Sequence, residues 1–153
     1  MGDLPLKHGA IAPDFALESV EGKRITREQF RGKQGVVVVF FGSQPPISLL
    51  HQLAKDAAEY REIGTAVVGI SNMPIDLLID AVAGVNWPYY MLTDPDAAAY
   101  RAYTGESEYR YAVAVLDTYG GFEAGVVVHE MLDLPSGSRV LEWARGAQYR
   151  CSV

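Results

Sequence analysis

Sulfur is scarce in this sequence: its 153 residues contain one cysteine, Cys151, so no intramolecular disulfide can form. That argues against a secreted, disulfide-stapled design and leaves only an intermolecular bridge open to the thiol. Basic clusters are missing too. The thirteen Lys and Arg residues are scattered and the net charge is −6, which removes the attraction to phosphate backbones and with it the expectation of a nucleic-acid partner. The longest strongly apolar run, Val36 to Phe41, falls far short of the roughly 20 residues that span a bilayer, so no membrane partner is expected. Met1 to Lys7 has no apolar signal-peptide core, and Leu6 stands where a myristoylation signal needs Ser or Thr; a cytoplasmic location is therefore expected. His8 and His129 have no ligand partners at metal spacing, and no metal or other cofactor is expected. His51, near the start of the helix after the apolar run, is open to an acid–base role or to that of a hydrated or hydrogen-bonded helix histidine. A Ser-His-Asp order, a Walker loop and a Rossmann fingerprint are all lacking, since Gly120 to Gly125 leads from one strand into another and reads as a hairpin turn.

What is there fits one globular domain. The hydrophobic fraction is 49% and the charged fraction 21%, with no shift of composition to mark a linker. A single domain over residues 1–153 is expected, with residues 1–34 as an N-terminal extension. Val36 to Phe41, bounded by Gly35 and Gly42, reads as a central strand buried on both faces. Pro45 and Pro46 then open a helix. It carries Leu50, Leu53, Ala54, Ala57 and Ala58 on one face and is expected to run about four turns, to near Gly64. Thr65 to Ser71 is a second buried strand, which makes a right-handed βαβ unit the default topology. Pro74 opens another amphipathic helix through Leu77, Leu78, Ala81 and Val82. Tyr89 to Leu92 reads as a short strand, Asp94-Pro95-Asp96 as a cap for a helix over residues 97–103, and Tyr111 to Leu116 as a strand. A hairpin through Gly120-Gly121 leads into residues 122–129, and a last helix begins near Pro135-Ser136. Upstream, Thr26 to Gln29 matches a capping box. The fold class expected is α/β, a central mixed sheet flanked by helices in the order βαβ then ββα.

Four fragments in order narrow this further: Ala12-Pro13-Asp14-Phe15-Ala16-Leu17, Glu21-Gly22-Lys23, Phe30-Arg31-Gly32-Lys33 ahead of the apolar strand, and Val68-Gly69-Ile70-Ser71. Together with the hairpin from Asp117 and the C-terminal helix, they resemble the alkyl hydroperoxide reductase/thiol-specific antioxidant (AhpC/TSA) pattern. This is the peroxiredoxin and redoxin branch of the thioredoxin fold. The resemblance implies peroxide reduction or disulfide exchange by a cysteine at the start of the helix after the first core strand. Such a place suits a thiol, because only thiolate is nucleophilic and a helix N-terminus lowers a nearby thiol's pKa.

Here that segment reads Ser43-Gln44-Pro45-Pro46-Ile47-Ser48. Against the Cys-Pro-Pro-Cys form of redoxins, Gln44 and Ile47 stand where two thiols would be. Neither can attack a peroxide, and the hydroxyls of Ser43 and Ser48 are far weaker acids than a thiol. The resemblance also implies an arginine six residues before the aspartate that ends the later strand. Arg110 lies seven before Asp117, and Tyr111 takes the six-residue place. Tyr111 or Ala112 likewise fills the position of the thioredoxin cis-proline. The expected reading is a degenerate active site on a redox-inactive binding or interaction module. Its former active-site face is Ser43 to Ser48 with Arg110 and Tyr111. Its partner is an unidentified protein or a small anionic ligand, the latter drawn by free amides at the helix start. The alternative is a thiol-dependent antioxidant peroxidase or disulfide oxidoreductase acting through Cys151. Tyrosines 89, 90, 100, 103, 109 and 111 are open to either a groove or homodimer face or the core.

Overall fold

The computed structural model describes residues 2–151, with side chains through Tyr149. Seven strands form one mixed sheet in the order β2-β1-β5-β4-β3-β6-β7. Its centre is β3 (Gly35–Phe41), parallel to β4 (Thr65–Ser71) on one side and antiparallel to β6 (Tyr111–Leu116) on the other. Every residue of β3 is buried, as its unbroken Val and Phe run requires of a strand covered on both faces. Val37, Val39 and Phe41 enter one core with Leu50, Leu53, Tyr60, Val140 and Ala144. Val36, Val38 and Phe40 enter the other with Phe15, Ile25, Tyr100 and Tyr103. At roughly 1.5–3 kcal/mol for each large apolar side chain removed from water, this double burial is the main stabilising term.

β5 (Tyr90–Thr93) continues the parallel part beside β4. β7 (Phe122–Val128) closes the other side through the Gly120-Gly121 turn. There Gly120 has a φ of 84°, and the Asp117 carboxylate accepts from the amides of Tyr119 and Gly121 at 2.9 Å each. The first 34 residues do more than extend the fold. They supply β1 (Ala16–Ser19) and β2 (Arg24–Thr26), an antiparallel pair that joins the sheet against β5. The capping box forms between them and β3: Gln29 N–H donates to Thr26 Oγ1 at 3.1 Å, and Thr26 N–H to Gln29 Oε1 at 2.8 Å. It opens a short 3-10 turn, Glu28–Phe30.

The expected four-turn helix after β3 is two pieces, α1 (Ile47–Lys55) and α2 (Ala57–Glu62), broken at Asp56. Ala58 is exposed, contrary to the expected face, and Tyr60 takes the buried place on α2. In α3 (Ile75–Val82) Leu78 is the buried residue, while Leu77 is 58% exposed, contrary to the expected face. α4 (Ala98–Thr104) follows β5, and α5 (Gly137–Cys151) packs across β3 and β6. Asp94, fully buried, opens α4: its carboxylate accepts from the amides of Ala99 at 3.2 Å and Tyr100 at 3.0 Å and from the Tyr109 hydroxyl at 3.4 Å. No helix among the described residues is long and apolar enough to cross a membrane.

Of the six tyrosines, 100, 103 and 111 are core and 89, 90 and 109 are half-buried. Tyr100 and Tyr109 stack at 4.1 Å, and Phe40 meets both rings and Tyr103 at 5.4–6.5 Å. Burial pushes the phenols of Tyr60, Tyr103 and Tyr109 well up, and that of Tyr89 up to about 12.

Two outcomes follow from these contacts. Asp94→Ala leaves three donors without their acceptor and should lower stability by about 2–3 kcal/mol in urea unfolding; a loss under about 0.5 kcal/mol would contradict the role assigned to the carboxylate. The raised tyrosines bind their protons longer when folded than when unfolded, where a phenol titrates near pH 10. Their contribution is thus full below about pH 10 and is lost as pH rises through the folded values, so the urea midpoint should fall steeply above about pH 10.

Candidate functional site at the β3–α1 junction

Five strand ends meet where the chain leaves β3: the C-terminal ends of β3, β4, β5 and β7 and the start of β6. In sheets of this kind ligands bind outside the carboxyl ends of the parallel strands. The turn Gly42-Ser43-Gln44 is held there by its carbonyls. Ser71 Oγ donates to the Gly42 carbonyl at 3.2 Å and accepts from the Met73 amide at 3.3 Å. The Tyr111 hydroxyl donates to the Gln44 carbonyl at 3.0 Å, and burial, with Glu130 nearby, raises its pKa.

A cavity of about 290 Å³ is lined by Ser43, Gln44, Arg110, Tyr111, His129 and Glu130, among others. A second, of about 240 Å³, is lined by Pro46, Ser48, Leu49, Met131 and Leu132, among others, and Met131 is common to both. Ser43, Gln44, Arg110 and Tyr111 therefore come together around one space, and Pro46 and Ser48 around its neighbour. Ile47, 40% exposed, lines neither. No side chain caps the N-terminus of α1, where Pro46 is the cap residue. Arg110 pairs with Glu108 at 3.1 Å, and its backbone N–H donates to the Tyr100 hydroxyl at 3.0 Å.

His129 was not visible as a site residue from spacing. It reaches the cavity from the end of β7, and its Nε2 lies 3.5 Å from Glu106 Oε1, a residue of the loop before β6. His51 is exposed on α1, and no cluster of metal-ligating side chains occurs among the described residues. The described peptide bonds include no cis bond, at Tyr111 or elsewhere.

Cys151 is elsewhere. α5 starts beside Gln52 of α1, runs about 22 Å at 1.5 Å per residue, and passes Gln148, which bonds Thr65 at the start of β4. Its last residue, Cys151, thus ends the helix at the opposite end of the sheet from Gln44; the thiol itself lies outside the described side chains.

This architecture is that of a thioredoxin-like fold of the peroxiredoxin type. A reduced 2-Cys peroxiredoxin from Plasmodium vivax superposes with a TM-score of 0.83 at 19% identity, covering 97% of this chain and 85% of that one. Peroxidoxin BcpB from Mycobacterium tuberculosis gives 0.78 at 18% identity over 92% and 97%. A thiol:disulfide interchange protein of the thioredoxin family from Chlorobium tepidum gives 0.72 at 19% over 93% and 98%. No curated protein sequence matches significantly. Residues 8–128 match the AhpC/TSA family, and the chain belongs to that family.

Replacing Tyr111 by Phe removes the bond to the Gln44 carbonyl while keeping the buried ring. Expected are a stability loss of about 1 kcal/mol and faster exchange of the amides from Gly42 to Ile47, read by hydrogen exchange; unchanged exchange there would show that the phenol does not hold the turn.

Proposed function

We propose that this AhpC/TSA-family chain is a redox-inactive binding or interaction module whose site is the groove at the β3–α1 junction. The observation that carries the reading is the pair Gln44 and Ile47 at the turn and first residue of α1. These are the places where a peroxidase or disulfide reductase of this fold needs thiolate, and an amide or a branched alkyl group can neither donate electrons nor attack a peroxide. The one cysteine ends α5 at the other end of the sheet. The groove suits binding: it is polar around Arg110 and His129 and apolar around Met131 and Leu132, which is 97% exposed. Its occupant is a protein segment or a small anionic ligand, the latter supported by the start of α1, which no side chain caps. Arg110 is paired with Glu108, so it adds hydrogen-bond donors rather than excess charge.

Two measurements test this. Hydrogen peroxide consumption with dithiothreitol should be no faster with the protein than without it, and the same for Cys151→Ser; a rate above background that disappears in Cys151→Ser would establish the thiol peroxidase instead. In pull-downs from cell extract, partners held by the wild type should be lost with a Gln44→Arg/Ser48→Glu variant, both positions being exposed. Identical binding by the two would place the interaction elsewhere and sink the groove.

A further inference from the structure

A cavity of about 760 Å³ opens at the end of the sheet opposite Gln44. It exists because β5 pairs with β4 only from Val68 upward, opposite Tyr90, while β4 begins at Thr65. Thr65 to Val67 therefore have no strand beside them on that side, and the chain from Asn86 to Tyr89 crosses the gap without closing it.

Its aromatic wall is fixed in place. Trp87 Nε1 donates to the Tyr90 carbonyl at 3.0 Å and the Tyr89 hydroxyl to the Leu53 carbonyl at 2.7 Å, and the two rings meet edge to face at 4.9 Å. The indole lies over Gly69, where an added Cβ would sit 3.6 Å from Trp87 Cζ2 and 2.6 Å from Met91 Sδ. Because both polar ring atoms are committed to backbone, the rings are ordered before any ligand arrives, which lowers the entropy lost on binding.

The polar lining is balanced. Among the described residues, the side-chain amides of Gln34 and Asn86 make no hydrogen bond, and each has a donor and an acceptor to offer. One cation, Arg61, and one anion, Glu21, line the space, so a phosphate finds no excess of positive charge and an ammonium no excess of negative. The volume lies within the range of small-molecule sites. A carboxamide is the complement of an aminopurine edge, which presents a donor beside an acceptor.

We infer that this cavity binds a small, uncharged heteroaromatic molecule of about nucleoside size, its ring against Trp87 and Tyr89 and its polar edge on the amides of Gln34 and Asn86. The site is separate from the β3–α1 groove and stands whether or not that groove binds anything.

The probe is adenosine, titrated into the full chain carrying Trp143→Phe, which leaves Trp87 as the sole tryptophan. Saturable change of Trp87 fluorescence is expected, with a Kd on the order of 0.1–1 mM for a ligand of this size. Octanoate, apolar and anionic without a ring, should give none. Asn86→Gly keeps the left-handed backbone at φ 56° and removes the amide; Gln34→Leu removes the other. Each should weaken adenosine at least about fivefold, with unfolding midpoints checked to exclude loss of fold. Amide chemical-shift changes should cluster at Asn86 to Met91. No saturation by about 10 mM adenosine, unchanged affinity in both variants, equal binding of octanoate, or shifts clustering at Ser43 and Arg110 would each overturn the inference.

Discussion

Burial of β3 on both faces is the constraint from which the other features descend. A strand with no exposed residue must have its backbone groups satisfied on both edges and its side chains covered above and below. β4 and β6 supply the edges. α1 and α5 cover Val37, Val39 and Phe41, and α4 with the N-terminal segment covers Val36, Val38 and Phe40. The chain escapes this enclosure only at the two ends of the strand. At the far end Gly35 is itself crowded, since a Cβ there would lie 2.9 Å from the Leu116 carbonyl and 2.5 Å from Gln148 Nε2. At the near end Gly42 has room, and there the backbone turns out toward solvent.

The way that turn is held explains how the frame and the chemistry can part company. Ser71 and Tyr111 bond the carbonyl oxygens of Gly42 and Gln44. Those atoms belong to the backbone and are present whatever side chain stands at position 44. Pro45 and Pro46 set the helix start by their fixed φ, again without reference to their neighbours. A cysteine, a glutamine or another residue of modest size could occupy the turn with the same support beneath it. On the proposed reading, the scaffold of a thiol enzyme persists here because none of its supports is a thiol.

The strands were legible wherever burial was two-sided. β3, β4 and β6 are unbroken apolar runs, and no competing pattern of that length fits. The capping box at Thr26 and the Asp94 cap were legible because both act within six residues of chain. β1 and β2 were not, being four and three residues long at a sheet edge; alternation over so short a span cannot be told from loop. The break at Asp56 was hidden for a different reason. The apolar spacing from Leu50 through Leu53 to Tyr60 fits one continuous helix, so nothing in the periodicity marks the irregular backbone at Asp56. At the site, Gln44 and Arg110 could be read from position relative to motifs, whereas the approach of His129 to Glu106 spans 23 residues and two connections, and nothing local announces it.

Stability and site are also separable by burial. Ser43, Gln44, Ile47 and Ser48 are exposed, as are His129, Glu130, Met131 and Leu132. Substitutions at such positions usually move stability by no more than about 0.5 kcal/mol, against several for the strand cores behind them. Folding therefore places little demand on these exposed side chains, in contrast to the buried Tyr111 and Leu49 that also line the junction. Single exposed apolar residues are ordinary on protein surfaces; Met131 and the nearly bare Leu132 together line the cavity beside Pro46, while Ile47 lies outside both cavities. Ile47 and Met131 are each more than half covered, whereas Leu132, 97% exposed, is held by no packing in the folded chain. On the proposed reading, a contact made outside the folded chain covers Leu132, and substitutions at the junction rather than in the core are the ones that would change function without unfolding the protein.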